Sequence, residues 1–190
     1  MRIVGGTWRG RALQAPRGAT TRPTADRARQ ALFDMLLHAP WGGRQVVDGA
    51  AVLDVFAGTG ALGLEALSRG AATARFIERD AAALTALRGN VAVLQAGERC
   101  TVLAMDVLAA PPGAPCGLVF LDPPYSQDLV PKALAHLAPR GWIAAGALIV
   151  AETARDEALP VSDRVTMSLL AERSYGAARV SAWRAEALVG

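Results

Sequence analysis

Short apolar runs alternate along the chain with longer segments in which apolar residues recur at helical spacing. The apolar runs are each short enough for a buried strand and lie at residues 51–56, 73–77, 100–103, 118–121 and 148–150. The segments with helical spacing cover residues 61–69, 80–95 and 127–137, the second of them with Asp80 as a capping residue. Alternating strands and helices are typical of a parallel sheet covered on both faces, so the pattern predicts an α/β fold.

The two ends of the chain break this alternation. Residues 1–20 are rich in glycine and predict a short hairpin, and a helix follows with Thr24 as its expected N-cap. The C-terminal part loses helical spacing. Two extended segments there, residues 164–171 and 177–188, flank a glycine-containing turn and predict a hairpin.

Composition indicates a single folded domain. The chain has 190 residues, of which 52% are hydrophobic and 19% charged, which excludes a disordered protein. The longest uncharged apolar stretch, residues 141–151, is too short to cross a bilayer, and the opening residues lack the apolar core of a signal peptide. Cys100 and Cys116 have no metal-ligand spacing, so we expect reduced thiols, no metal site and a cytoplasmic protein.

Positive charge is concentrated at the N-terminus. Residues 1–44 contain eight arginines and two acids, whereas the rest of the chain carries a net negative charge. A solvated, flexible terminus is one interpretation. Arginines interleaved with tryptophan and glycine favour nucleic-acid binding, because a guanidinium contacts phosphates in a bidentate manner and stacks on bases. We therefore divide the chain into a basic arm or hairpin at residues 1–22 and a main domain at residues 23–190. The expected nucleic-acid contacts are Arg2, Trp8, Arg9, Arg11, Arg17, Arg22 and Arg27.

Glycine and acidic residues follow the first three predicted strands. The glycines of Asp54-Val55-Phe56-Ala57-Gly58-Thr59-Gly60 permit close approach of a ligand and expose amides at a helix start. Glu78 ends the second strand, where a carboxylate can accept both hydroxyls of a ribose, in a dinucleotide or in S-adenosylmethionine. A surface ion pair with Arg75 or Arg79 is the alternative. Asp106, after the third strand, is placed either to accept from an adenine amino group or to form a turn.

Asp122-Pro123-Pro124-Tyr125 ends the fourth predicted strand. The prolines remove two backbone donors, and a carboxylate, bare carbonyls and an aromatic ring can together hold a planar amino group. That arrangement suits methylation of the exocyclic nitrogen of a base, although a simple turn is the alternative. The spacing Gly58-x-Gly60-x-x-Gly63 also fits a nicotinamide-dependent oxidoreductase, but such an enzyme has no use for this tetrapeptide beside its cofactor. The combination favours an amino-methyltransferase.

The chain resembles the bacterial 16S ribosomal RNA guanine-2-amino methyltransferases of the RsmD type over essentially its full length. The matching stretches are residues 2–11, Arg22-Pro23-Thr24 with Asp26, Arg27 and Arg29, residues 53–70, 76–78 and 120–125, and Tyr175-Gly176. The glycine loop and Asp122–Tyr125 are shared by many amino-methyltransferases. The arginine-rich opening and the Arg22-Pro23-Thr24 segment narrow the resemblance to this family.

The resemblance implies a Rossmann-like class I methyltransferase fold, with a seven-stranded sheet that contains one antiparallel strand and has helices on both faces. It implies S-adenosylmethionine as cofactor and a guanine of 16S rRNA, in the assembling 30S subunit, as substrate of a monomeric enzyme. Carried over by position, the cofactor-binding residues are Asp54, Phe56, Gly58, Thr59, Gly60, Glu78, Asp106 and Val107. The catalytic residues are Asp122, Pro123, Pro124 and Tyr125.

Three other functions fit parts of the sequence. A DNA adenine amino-methyltransferase shares the catalytic motif, but the chain has little room for a separate sequence-reading domain. A protein glutamine methyltransferase is compatible with the motif and does not need the arginines. A non-catalytic RNA-binding protein fits only the basic arm.

Overall fold

A seven-stranded sheet runs through the centre of the computed structural model, which describes residues 1–16, 23–124 and 128–188. The strand order across the sheet is β3-β2-β1-β4-β5-β7-β6. The strands are β1 Ala51–Val55, β2 Thr73–Glu78, β3 Cys100–Ala104, β4 Cys116–Leu121, β5 Ile143–Ala154, β6 Val165–Tyr175 and β7 Ala178–Leu188.

Strands β1 to β5 are parallel, and β7 is antiparallel to both of its neighbours, β5 and β6. The predicted α/β sheet with one antiparallel strand from a C-terminal hairpin is therefore confirmed. The fifth strand is longer than the predicted 148–150. Its pairing with β4 jumps from Cys116–Ile143 to Leu118–Leu148, so residues 144–147 form an irregularity that hides the early part of the strand from a pattern search.

The described residues form four α-helices, of which the first precedes β1 and the other three lie between strands: α1 Pro23–His38, α2 Ala61–Ser68, α3 Ala81–Val93 and α4 Leu129–Leu137. Helix α1 begins at Pro23. Thr24 therefore lies inside the helix and is not its N-cap, contrary to the prediction from the sequence. The cap predicted for α3 is confirmed, because the Asp80 carboxylate accepts the Ala83 N–H at 2.8 Å. No helix in the described ranges is long and apolar enough to cross a membrane.

Each face of the sheet has its own apolar core. Residues of α1, α2 and α3 pack on one face, where the rings of Phe33 and Phe120 lie 5.8 Å apart. Helix α4 packs on the other face with residues such as Leu134 and Trp183. Because central strands are buried on both faces, β1 and β4 are nearly continuous apolar runs, which is why the sequence pattern located them.

The N-terminal residues fold back on themselves as predicted. The Ile3 N–H bonds to the Arg11 carbonyl at 2.9 Å, the Leu13 N–H bonds to the Met1 carbonyl at 3.0 Å, and Arg2 bridges Ala12. Ile3 and Leu13 are buried in the core beside α1 and α2. Residues 1–16 are therefore a docked hairpin that shares the core of the main domain.

A fully buried carboxylate on α2, Glu65, holds this hairpin in place. It accepts the backbone N–H groups of Val4 and Gly5, both at 2.8 Å. It also pairs with Arg29 of α1 at 3.4 Å and with Arg69 at 2.8 Å. The Arg29 guanidinium donates in addition to the Arg2 carbonyl and to Asp26. Four donors thus surround one carboxylate, which compensates the cost of burying its charge.

Glu65→Gln should lower the free energy of unfolding by about 3–5 kcal/mol, because the amide presents its own N–H groups to donors and leaves buried guanidinium groups unpaired. Urea titration followed by circular dichroism measures the change. Glu98→Gln is the matched control, since Glu98 is exposed, and should shift stability by less than about 0.5 kcal/mol. Equal stability of the two variants would contradict the role assigned to Glu65.

Candidate active site

A large cavity with a volume of about 630 Å³ lies at the carboxyl ends of β1, β4 and β5. Strand order reverses between β1 and β4, the position at which open α/β sheets bind ligands. The volume lies within the usual range for small-molecule sites. Among the residues that line it are Met1, Arg29, Leu32, Asp54, Phe56, Gly58, Thr59, Asp122, Glu152 and Tyr175.

The loop after β1 lines this cavity with Phe56, Ala57, Gly58 and Thr59, whereas Gly60 is buried and does not line it. Phe56, Gly58 and Gly60 all have positive φ values, of 60°, 55° and 77°. No atom lies within 4 Å of the position that a Cβ on Gly58 would take, so the loop borders open space there. A Cβ on Gly63 would lie only 2.4 Å from the Phe76 ring. The third glycine of the motif is therefore explained by close packing of α2 on the sheet and requires no pyrophosphate.

Asp54 is the buried acid of the site. Its Oδ2 accepts the Gly63 N–H at 2.8 Å and so ties the end of β1 to the first turn of α2. Desolvation raises the pKa of Asp54 to about 8; the Gly63 hydrogen bond opposes the rise, and the charges of Asp122 and Glu78 add to it. The carboxyl therefore takes up a proton near neutral pH.

Glu78 ends β2 beside the glycine loop. Its Oε2 accepts the Gly58 N–H, and its Oε1 accepts the N–H groups of Arg79 and Asp80, each at 2.7 Å. Backbone donors therefore hold this carboxylate, in place of the ion pair with Arg75 or Arg79 that the sequence left open. A carboxylate has about four acceptor positions, so Oε2 keeps one for a ligand hydroxyl.

Asp106 and Val107 follow β3 and lie outside the lining of the large cavity. Asp106 accepts the Leu108 N–H at 2.9 Å and pairs with the Arg79 guanidinium at 2.6 Å. The Leu108 N–H, followed by the Arg79 charge, holds the pKa of Asp106 below its usual value. The Val107 side chain is buried in the core, so this residue has only its backbone to offer a ligand. Asp106 thus forms the turn that the sequence offered as the alternative, and its half-exposed carboxylate is paired with Arg79, the residue after Glu78.

Asp122 and the two prolines after β4 face different spaces. Asp122 lines the large cavity, whereas Pro123 and Pro124 line a neighbouring cavity of about 290 Å³. Asp122 is exposed on its cavity side, yet the surrounding protein desolvates its carboxyl and, together with the charge of Glu152, raises its pKa to about 7. Tyr125, the fourth member of the predicted motif, lies outside the described residues.

Several lining residues were not predicted as site residues, although Arg29 and Tyr175 lie in the stretches that resemble the family: Met1, Arg29, Leu32, Glu152 and Tyr175. Glu152 carried a usable signal, since it is an acid near the carboxyl end of a strand, as Glu78 and Asp122 are. The others come from the N-terminus, α1 and the C-terminal hairpin, and no local pattern places those segments at the cavity.

The basic hairpin extends away from the cavity. Met1 lines the cavity, whereas the Trp8 N–H bonds to Ser68 at the far end of α2, at 2.9 Å. A helix of eight residues is about 12 Å long, so Trp8 and its neighbour Arg9 lie roughly that far from the cavity. The Arg99 guanidinium covers the Trp8 ring at 4.9 Å. Within the described residues, Arg2, Arg9, Arg11 and Arg27 are exposed. Arg17 and Arg22 lie outside these residues.

Asp54→Asn should stabilise the protein increasingly as pH rises. The pKa of Asp54 is about 8 in the folded state against the usual 3.8. Between about pH 4 and pH 8 the unfolded state has therefore lost this proton while the folded state keeps it, so wild-type stability falls as pH rises. The asparagine oxygen can still accept the Gly63 N–H. We expect its stability advantage over wild type to be larger at pH 8.5 than at pH 5 by about 1 kcal/mol or more, measured by thermal unfolding. Asp163 is exposed, so the Asp163→Asn control should show no dependence of its stability difference on pH. A stability difference for Asp54→Asn that is also independent of pH would contradict a raised pKa of Asp54.

Comparison with known proteins shows which family the chain belongs to. Residues 1–184 match the family described as Conserved hypothetical protein 95. Ribosomal RNA small subunit methyltransferase D of Escherichia coli is 46% identical over 162 residues, which cover 84% of this chain and 78% of that protein. The protein of the same name in Haemophilus influenzae is 36% identical over 181 residues, 93% of this chain and 89% of its own length.

Solved structures give the same result for the fold. A putative methyltransferase from Escherichia coli superposes with a TM-score of 0.84 at 40% identity and covers 98% of both chains. A putative methylase from Haemophilus influenzae has a TM-score of 0.78 at 31% identity, also over 98% of both chains. The fold is thus the Rossmann-like class I methyltransferase fold predicted from the sequence. The chain belongs to the family of ribosomal RNA small subunit methyltransferase D.

Proposed function

We propose that this protein transfers a methyl group from S-adenosylmethionine to the exocyclic 2-amino group of a guanine in 16S rRNA. The observation that carries the proposal is that the glycine loop after β1 and the carboxyl of Asp122 open into one cavity. Family membership and the named relatives support the RNA substrate. A glycine loop that can bind a nucleotide-like cofactor and a carboxyl that can accept from an amino group share this cavity. That arrangement suits transfer of a methyl group from the cofactor to a planar amine.

The residues around the cavity fit the cofactor. S-adenosylmethionine supplies, when bound, an electrophilic methyl group on a positively charged sulfur. The open backbone at Gly58 and the free acceptor position on Glu78 suit its methionine and ribose parts, and desolvated carboxyls such as Asp54 suit its positive charge. The residues that we assign to the cofactor are Asp54, Phe56, Gly58, Thr59, Gly60, Glu78, Asp106 and Val107, the last two on the adenine side.

Asp122 and the residues that follow it would hold the amino group. The lone pair of a guanine amino group is delocalised into the ring, so two acceptors, the Asp122 carboxylate and the Pro123 carbonyl, are needed to turn it toward the methyl group. We expect Tyr125 to stack on the base, a contact worth about 1–3 kcal/mol. Holding the reactants in this geometry can contribute roughly 7–11 kcal/mol to the rate.

Asp122 is also suited to remove a proton. The amino nitrogen must lose one hydrogen as it gains the methyl group, and the carboxylate that accepts this hydrogen bond can take it. A pKa of about 7 puts Asp122 close to the ideal for a general base at neutral pH. No covalent intermediate on the protein is required.

We further propose that the exposed arginines contact rRNA around the target, in the cytoplasm and within the assembling 30S subunit, with the protein acting as a monomer. The base has to leave its stack to reach the cavity. Of the exposed arginines, Arg2 and Arg27 are each next in sequence to a residue that lines the cavity, Met1 and Ala28 respectively. Arg9 and Trp8 would then contact RNA further from the reacting base.

The decisive experiment is label transfer. Radiolabelled S-adenosylmethionine is incubated with the protein and with unmethylated small subunits, naked 16S rRNA, DNA or cell protein, and the labelled nucleotide is mapped. Label in a single guanine of rRNA is the expected result. Label in adenine of DNA or in protein would support the rival methyltransferases, and no transfer to any of them would reject catalysis.

Asp122→Ala should reduce turnover by at least about 100-fold, since it loses both the amino-group acceptor and the proton acceptor. Affinity for S-adenosylmethionine, measured by calorimetry, should stay close to that of wild type. Asp156→Ala is the matched control, because Asp156 is exposed just beyond the end of β5 and lines neither cavity. Near-normal turnover by Asp122→Ala would remove Asp122 from the mechanism.

Arg9→Gln with Arg11→Gln should weaken rRNA binding and make it less sensitive to salt. Each lost phosphate contact lowers the slope of log affinity against log salt by about 0.7–0.9. Substitution is preferable to deletion of the hairpin, because Ile3 and Leu13 belong to the core. The control double variant, Arg44→Gln with Arg164→Gln, removes equal charge at two exposed positions outside the hairpin and should keep the wild-type slope. The same slope for both double variants would argue against RNA contact by the hairpin.

A further inference from the structure

A second acid lies directly beside Asp122. Leu121 of β4 pairs with Ala151 of β5 in parallel register, so the next residues, Asp122 and Glu152, also come side by side. Neighbouring strands are separated by about 4.8 Å. Both acids line the large cavity, and Glu152 in addition lines the smaller one. Glu152 therefore stands in the wall between the cofactor-sized cavity and the space beside Pro123 and Pro124.

The orientation of Glu152 follows from strand alternation. Val150 and Glu152 are two residues apart and both line the large cavity, as do Phe120 and Asp122 on the neighbouring strand. Thr153 points to the other face, where its hydroxyl accepts a hydrogen bond from Arg179 at 3.1 Å. The Glu152 carboxyl thus belongs to the same face of the sheet as the acid that we assign to the amino group.

Two adjacent carboxyls match the edge of guanine better than that of adenine. Guanine presents two neighbouring donors, the N1–H and the 2-amino group. Adenine presents one donor, its amino group, beside the lone pair of N1. Ionised carboxylates are acceptors only, so the second carboxylate attracts the N1–H of guanine and repels the N1 lone pair of adenine.

We propose that Glu152 accepts the N1–H of the target guanine while Asp122 accepts the 2-amino group, which makes Glu152 the residue that selects guanine. The inference rests on the proposed function and names the part of that site that reads the base. Glu152 forms no covalent bond in this role. Removing its charge should change base selection more than it changes cofactor binding.

The test compares guanine with 2-aminopurine at the target position. 2-Aminopurine keeps the reacting 2-amino group but has a lone pair in place of the N1–H. Once the methylated guanine has been mapped, 16S rRNA carrying either base there is made by ligation and assembled into subunits. We expect wild-type kcat/KM to favour guanine by roughly 10- to 100-fold, the discrimination typical of a well-placed pair of hydrogen bonds.

Glu152→Gln should narrow that preference by about tenfold, because the amide can turn to donate to the N1 lone pair of 2-aminopurine. 2-Aminopurine also lacks the O6 atom of guanine. That loss affects wild type and Glu152→Gln alike, so it cancels when their preferences are compared. Glu157→Gln is the matched control: Glu157 lines only the smaller cavity, where it accepts the Ala154 N–H at 3.0 Å, and its substitution should leave the preference unchanged.

Each outcome decides the question. The proposal is supported if the preference for guanine over 2-aminopurine narrows in Glu152→Gln and not in Glu157→Gln. Loss of activity on both bases in equal proportion overturns it, because a structural or purely general electrostatic role predicts that result. The proposal is also overturned if Glu157→Gln narrows the preference for guanine as much as Glu152→Gln does. Wild-type label on a base other than guanine would instead reject the proposed function, and the mapping step reveals this before the comparison begins.

Discussion

The buried carboxylate of Glu65 is the interaction on which the shape of the site depends. It joins α2 to the N-terminal hairpin through Val4 and Gly5, and to α1 through Arg29. Those two segments supply Met1, Arg29 and Leu32 to the wall of the cavity. A charge buried at this depth is tolerated only when its donors are complete, so the hairpin and α1 must dock together. The same contact explains why a basic N-terminal segment is part of the domain core.

The other end of α2 is tied to the site by a different carboxyl. Asp54 accepts the Gly63 N–H and thereby sets the loop that opens into the cavity. Burial raises the pKa of Asp54, and burial with the charge of Glu152 raises that of Asp122. Ionisation of these desolvated acids is costly on its own and becomes favourable beside a positively charged ligand. The stability lost by burying these acids is therefore linked to the affinity for the cationic cofactor that we propose.

Much of the architecture could be predicted because its signals are local. β1 and β4 were found from apolar runs, and Asp80 was identified as a cap from its position before α3. The start of β5 was missed because an irregular pairing near Gly146 interrupts its pattern. Glu65 was missed for another reason: apart from Arg69, its partners are about 36 and 60 residues away along the chain, and helical spacing around it shows only a polar position among apolar ones.

By itself, the sequence determined which chemical groups stand at the strand ends, because a glycine loop, a terminal carboxylate and a pair of prolines each depend on a few neighbouring residues. It did not determine which of these groups share a space. Only the tertiary structure brought Asp122 beside Glu152, placed Pro123 and Pro124 in the lining of the neighbouring cavity, and directed Trp8 away from the large one. Register across strands and desolvation decide such matters, and both arise from atoms that distant parts of the chain bring together.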